Sequence, residues 1–119
     1  MRDTELRTRT KQFALRVIRM YGRLPKDAVS QTLGKQALRS GTSVAANFRE
    51  ATRARSTAEF LSELGVVEQE LGETSLWFEL LVESDIVAPR KLSLRMQEAD
   101  ELLRIVVSSI KSKKRRLDG

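Results

Sequence analysis

The chain has no cysteine and no histidine among its 119 residues. Without cysteine there is no disulfide framework and no thiolate chemistry. Without histidine the commonest general base and metal ligand are missing as well. The familiar catalytic constellations are thereby closed off, and the expectation is a protein with no enzymatic activity, no metal and no cofactor. Aromatic residues make up 5% of the chain, and Trp77 and Phe78 sit in an acidic segment, so no stacking platform for single-stranded bases is in view. No run approaches the roughly 18 apolar residues that a bilayer demands, and the first twenty residues lack the apolar segment of a signal peptide. These absences predict a soluble, cytoplasmic protein with no membrane partner. The length suits one domain over residues 1–119, since domains commonly reach about 100–150 residues.

One sign of charge is missing from a whole stretch. Between Ser56 and Pro89 there is no lysine or arginine, while eight carboxylates fall there. Basic residues crowd both flanks and leave a total of +6. A surface of that sign concentrates polyanions, nucleic acid above all.

Proline and glycine are also few, two and six, and they fall mainly where a helix has to stop. Leu6, Phe13, Ala14, Val17, Ile18, Tyr21 and Leu24 keep helical spacing until Gly22 and Pro25 close the run. Asp27 is a candidate N-cap for a second helix, with a narrow seam through Leu33, Ala37, Ser40, Val44, Phe48 and Ala51. Ser56 followed by Glu59 fits a capping box. Behind it Phe60, Leu64, Val67, Leu71, Thr74, Phe78 and Leu81 alternate steps of four and three. The same pattern follows Pro89 through Leu92, Met96, Ala99, Leu103, Val106 and Ile110. No segment alternates with period two. The prediction is all-α, an antiparallel up-and-down four-helix bundle with helices at about 4–22, 28–51, 57–84 and 90–113 and a basic C-terminal tail over 111–119.

Two features exceed what a lone bundle needs. In the third helix Val66, Leu76, Trp77 and Leu80 lie partly off the seam, which predicts a self-association face; a broad core-facing stripe is the other reading. In the second, Gly34, Ala37, Gly41, Ala45 and Ala46 let a neighbouring helix approach closely. Ser43, Asn47 and Glu50 form a polar stripe beside that seam, and an interhelical hydrogen-bond network is favoured over a ligand site.

The block "RSGTSVAANFREATRARSTAEFLSELGVVEQELGETSLWFELL", residues 39–81, resembles the central part of the bacterial four-helix bundle proteins encoded by intervening sequences in 23S ribosomal RNA genes. The resemblance rests on Ser43, Val44, Asn47 and Glu50, then Arg55-Ser56 with Glu59-Phe60, then Glu73 to Leu81. Many members have glycine or proline where this chain has Ala45. The resemblance implies a ring-like homo-oligomer, a pentamer, with a basic surface and no established enzymatic activity. Accessory proteins of diversity-generating retroelements are similar in architecture and are associated with a reverse transcriptase and nucleic acid.

The candidate site is cationic. Arg2, Arg9, Arg16 and Arg23 recur every seven residues on the first helix, and Arg19 and Lys26 widen the row. Guanidinium forks of this kind suit phosphate oxygens; the competing reading pairs them with the acidic third helix. Lys35, Arg39, Arg49, Arg53 and Arg55 extend the set. Lys111, Lys113, Lys114, Arg115 and Arg116 close the chain as a tail that frays and neutralises phosphate, or merely solubilises. The expected function is a non-enzymatic, oligomeric nucleic-acid-binding protein that holds RNA or DNA through the backbone with low sequence specificity, an intervening-sequence or retroelement accessory factor. Charge reversal at Arg16, Arg19 and Arg23 is expected to weaken binding. The alternative is a scaffold that docks an acidic protein partner or a nucleic-acid enzyme.

Overall fold

A computed structural model of the chain describes residues 3–118, apart from the side chain of Asp118. Four helices follow one another: α1 (Asp3–Gly22), α2 (Ala28–Thr52), α3 (Thr57–Glu83) and α4 (Pro89–Asp118). Their starts are local chemistry. Asp27 accepts from the Ser30 amide at 3.0 Å and from its hydroxyl at 2.8 Å, and these bonds hold the Asp27 carboxyl below its ordinary range. Ser56 accepts from the Glu59 amide at 3.1 Å, while the Glu59 carboxylate accepts from the Arg55 amide at 3.3 Å, one residue behind the usual partner in a capping box. Pro89 opens α4 at the position where its missing N–H costs nothing.

The turn after α3 is a Schellman motif. The Ile86 amide donates to the Leu81 carbonyl at 3.0 Å and the Asp85 amide to the Val82 carbonyl at 3.0 Å, with Asp85 at φ 61°. This arrangement carries Ile86 and Val87 back against the bundle end.

Each helix packs on its sequence neighbours and α4 returns to α1, giving a square section 51 Å long and 20 Å across. The α2–α3 seam is the closest and the α1–α4 seam the loosest. Backbones stay apart on the diagonals, where side chains fill the centre: Phe13 of α1 meets Phe78 of α3 edge to face at 6.4 Å. Phe48, Val17, Val44, Leu71 and Leu102 complete a dry core around them. Within it, the Ser40 and Thr74 hydroxyls share a hydrogen bond of 2.7 Å across the α2–α3 seam.

The glycines of α2 act as the spacing suggested. A Cβ at Gly41 would stand 2.9–3.1 Å from three atoms of the Val17 side chain, and one at Gly34 would stand 2.3 Å from Leu24. The α1–α2 contact therefore requires bare backbone at these two positions.

One boundary differs from expectation. Helix α4 does not end near residue 113 with a fraying tail; it continues through Asp118. Lysine and arginine are good helix formers, and cations in a last turn complement the helix dipole.

Candidate nucleic-acid interface

The bundle sorts the basic residues into those already neutralised and those left over. Arg9 pairs with Glu101 at 3.0 Å, and Arg16 donates to Glu98. Both partners lie on α4. The alternative pairing of the α1 row with the acidic third helix does not occur within one chain among the described residues, because α1 and α3 sit on a diagonal. Arg2, which opens that row, lies outside the described residues. Arg19 and Arg23 are exposed, and neither meets a carboxylate within ion-pair distance among the described residues.

Arg39 is also engaged. It reaches Glu70 at 3.5 Å and Glu73 at 3.6 Å on α3. Burial pushes the Glu70 carboxyl above its ordinary range, and a hydrogen-bonding contact with the Glu73 carboxylate adds to the rise; Arg39 and a hydrogen bond from Ser43 oppose it. Asn47, next on the stripe, is half-buried, and Glu50 is exposed.

The largest group of unpaired cations gathers at one end of the bundle. The exit of α2 brings Arg49, Arg53 and Arg55 there, and the end of α4 brings Lys111, Lys113, Lys114, Arg115 and Arg116. Arg55 and Lys113, far apart in sequence, line one recess of about 370 Å³ together with Phe60 and one carboxylate, Asp3, which pairs with neither. The Lys113 ammonium lies 5.5 Å from the centre of the Phe60 ring, a cation–π contact that fixes the stem and leaves the charge near the surface. Among the described residues none of these eight cations forms an ion pair. Antiparallel topology explains the grouping: the α2–α3 connection and the chain terminus fall at the same end.

Sequence reasoning missed a second basic group at the opposite end. Arg90, Lys91 and Arg95 at the start of α4 face Arg23 across another recess. The signal was there in "PRK", a helix start with cations in place of the usual acid and with no carboxylate in its first turn.

Of the expected contact face on α3, Val66, Leu76 and Leu80 are exposed. Trp77 differs: its ring packs against the core, and its indole Nε1 is buried without a hydrogen-bond partner. Gly65 and Gly72 share the outward side of α3, and a Cβ at either would meet nothing within 4 Å. On the opposite corner of the bundle Leu15 and Ile18 of α1 are also exposed.

No helix among the described residues is long and apolar enough to cross a membrane. The class defined so far is an all-α bundle with an acidic third helix and a group of unpaired cations at each end among the described residues. The chain matches the model of the 23S rRNA-intervening sequence protein family over residues 2–108, and it belongs to that family. Among solved structures it is similar to a protein of unknown function from the S23 ribosomal protein family of Bacteroides thetaiotaomicron, at 32% identity and a TM-score of 0.87, with 93% of this chain and 99% of that one covered. No curated protein matches it.

Proposed function

We propose that the chain is a non-enzymatic, oligomeric nucleic-acid-binding protein that holds RNA or DNA through phosphate contacts with little regard for base sequence. The observation that carries this reading is the cationic end, where Arg53, Arg55 and the Lys111–Arg116 segment converge with no carboxylate within ion-pair distance among the described residues. Like charges brought together are mutually repulsive, and a polyanion is the partner that relieves them. The family match bears on the ribosomal RNA group and not on the retroelement group.

Assembly into a ring, a pentamer, is part of the proposal. Its support is the placing of two unlike faces. The outward side of α3 is acidic and carries Val66, Leu76 and Leu80; the outward side of α1 carries Leu15 and Ile18 beside Lys11 and Arg19. The two faces lie on diagonally opposite corners, so one copy's α3 can meet the next copy's α1 head to tail, a heterologous contact that makes a ring when the rotation from copy to copy closes. Such a contact would use up the carboxylates of α3 and leave the bundle ends cationic. Several ends presented together would then gain through effective concentration.

Fluorescence anisotropy with mixed-sequence RNA and DNA over a salt series tests this. Binding at low salt should fall steeply as salt rises, with a slope of about −0.9 per phosphate contact on duplex DNA. Joint reversal of Lys114, Arg115 and Arg116 to glutamate should weaken binding and flatten that slope. Reversal of Arg16 should do less than its place in the α1 row suggested, because Glu98 already holds it. No binding at low salt would sink the reading. The same cationic end also suits an acidic protein, and a partner captured after nuclease treatment would favour a scaffold.

A further inference from the structure

The recess at the other end of the bundle has a different build. It holds about 390 Å³ between the α1–α2 and α3–α4 connections, within the range of small-ligand sites. Its floor is apolar: Met20, Leu24 and Leu92 from the core, with Ile86 and Val87 held in place by the Schellman turn. Its rim carries four cations, Arg23, Arg90, Lys91 and Arg95, and no carboxylate lines it. None of the four forms an ion pair among the described residues.

Both halves of this arrangement point to one ligand chemistry. Four cations around one opening attract an anion, and Arg90 and Lys91 sit at the start of α4, where the helix dipole disfavours positive charge. A bare inorganic anion would use the rim and leave the apolar floor unused. A purely apolar ligand would do the reverse. Phosphate joined to a compact heteroaromatic body uses both.

We propose that this recess binds a nucleoside monophosphate group, with the phosphate on Arg23, Arg90, Lys91 and Arg95 and the base over Leu24, Ile86 and Leu92. The group is supplied either as a free nucleotide or as the phosphorylated end of a strand. The site stands apart from the phosphate-backbone surface, since Lys91 and Lys113 are separated by about 33 Å along α4.

The test is calorimetric titration of the full chain with adenosine monophosphate, adenosine and inorganic phosphate. The monophosphate should bind about tenfold or more tighter than either part alone. Joint substitution of Arg90→Gln and Arg95→Gln should lower that affinity about tenfold or more, the scale of lost charged hydrogen bonds. Val87→Ser should weaken the monophosphate and leave inorganic phosphate unchanged. Binding of long mixed-sequence RNA reports on the other end and should survive both changes, so the two readings fail separately. Competition by a 5′-phosphorylated oligonucleotide and not by its 5′-hydroxyl counterpart identifies a strand end as the source; competition by neither identifies a free nucleotide. Inorganic phosphate binding as tightly as the monophosphate overturns the proposal. So does an Arg90→Gln/Arg95→Gln variant with the native helical spectrum and undiminished affinity, or no measurable binding of the monophosphate.

Discussion

Two pairs of glycines, each seven residues apart, sit on neighbouring helices in opposite circumstances. Gly34 and Gly41 of α2 are buried, and side chains of α1 and of Leu24 just after it occupy the space a Cβ would need. Gly65 and Gly72 of α3 are exposed and face nothing. Glycine in a helix interior costs about 1 kcal/mol relative to alanine in either place. On α2 close packing offsets that cost within the chain. On α3 nothing in one copy offsets it, and the same side bears Val66, Leu76 and Leu80. One helix is thus finished by the fold, and the other carries two glycines that no contact within the chain explains.

The sharpest break of this contrast is Gly41→Ala. The added methyl would be 2.9–3.1 Å from three atoms of Val17, a β-branched side chain with little rotameric freedom. Overpacking of this kind costs about 1–3 kcal/mol, which exceeds the helix-propensity gain at the upper end and cancels it at the lower. Urea denaturation should show a net loss, and a gain would mean the α1–α2 seam is looser than its geometry.

On the outer pair the sign reverses. Gly72→Ala should raise the stability of the dilute protein by about 1 kcal/mol. If another copy packs there, the same methyl should loosen the assembly, which sedimentation at rising concentration would register. A more stable protein with unchanged sedimentation would leave α3's outer glycines without a role in self-association.

Much of this was legible beforehand, for reasons that can be named. Caps and breaks are local, so Asp27, Ser56 and Pro89 mark their helix starts without knowledge of the fold. Seams repeat at fixed steps, so most of the core could be read from spacing; the exceptions are Ile18, which is exposed, and α4, where Leu102 and not Leu103 is the fully buried leucine. Neighbour relations are not local. That Arg9 and Arg16 meet Glu101 and Glu98 depends on α4 lying beside α1, and no period in the sequence states it. The basic end of α4 was misjudged because charge density suggested a loose tail, whereas nothing in "KSKKRR" stops a helix. Arg90, Lys91 and Arg95 escaped notice for a related cause: they are few, and it is the fold that brings the start of α4 beside Arg23. Trp77 was placed with the exposed residues because its neighbours are, yet its ring turns inward.

Glu70 lies between the two sides of α3 and yields the smallest and most specific effect. It is buried beside Glu73, and its carboxyl is raised above the ordinary glutamate value of about 4.3. A raised acid binds its proton more tightly in the folded chain than in the unfolded one. Its contribution to stability is therefore full below the ordinary value and is lost as pH climbs through the elevated one. At neutral pH the buried charge is a cost, and Arg39 recovers little of it, being more than half exposed at its own end. Glu70→Gln keeps the size and shape of the side chain and removes the charge. The substitution should raise stability at pH 7 by about 0.5–1 kcal/mol and leave it unchanged near pH 3, so that the difference between wild type and variant opens as pH rises. Urea titrations at several pH values would measure it. A variant that is weaker at pH 7 would mean that Arg39 and Glu70 are worth more together than an exposed guanidinium can account for, and that the α2–α3 seam depends on the pair.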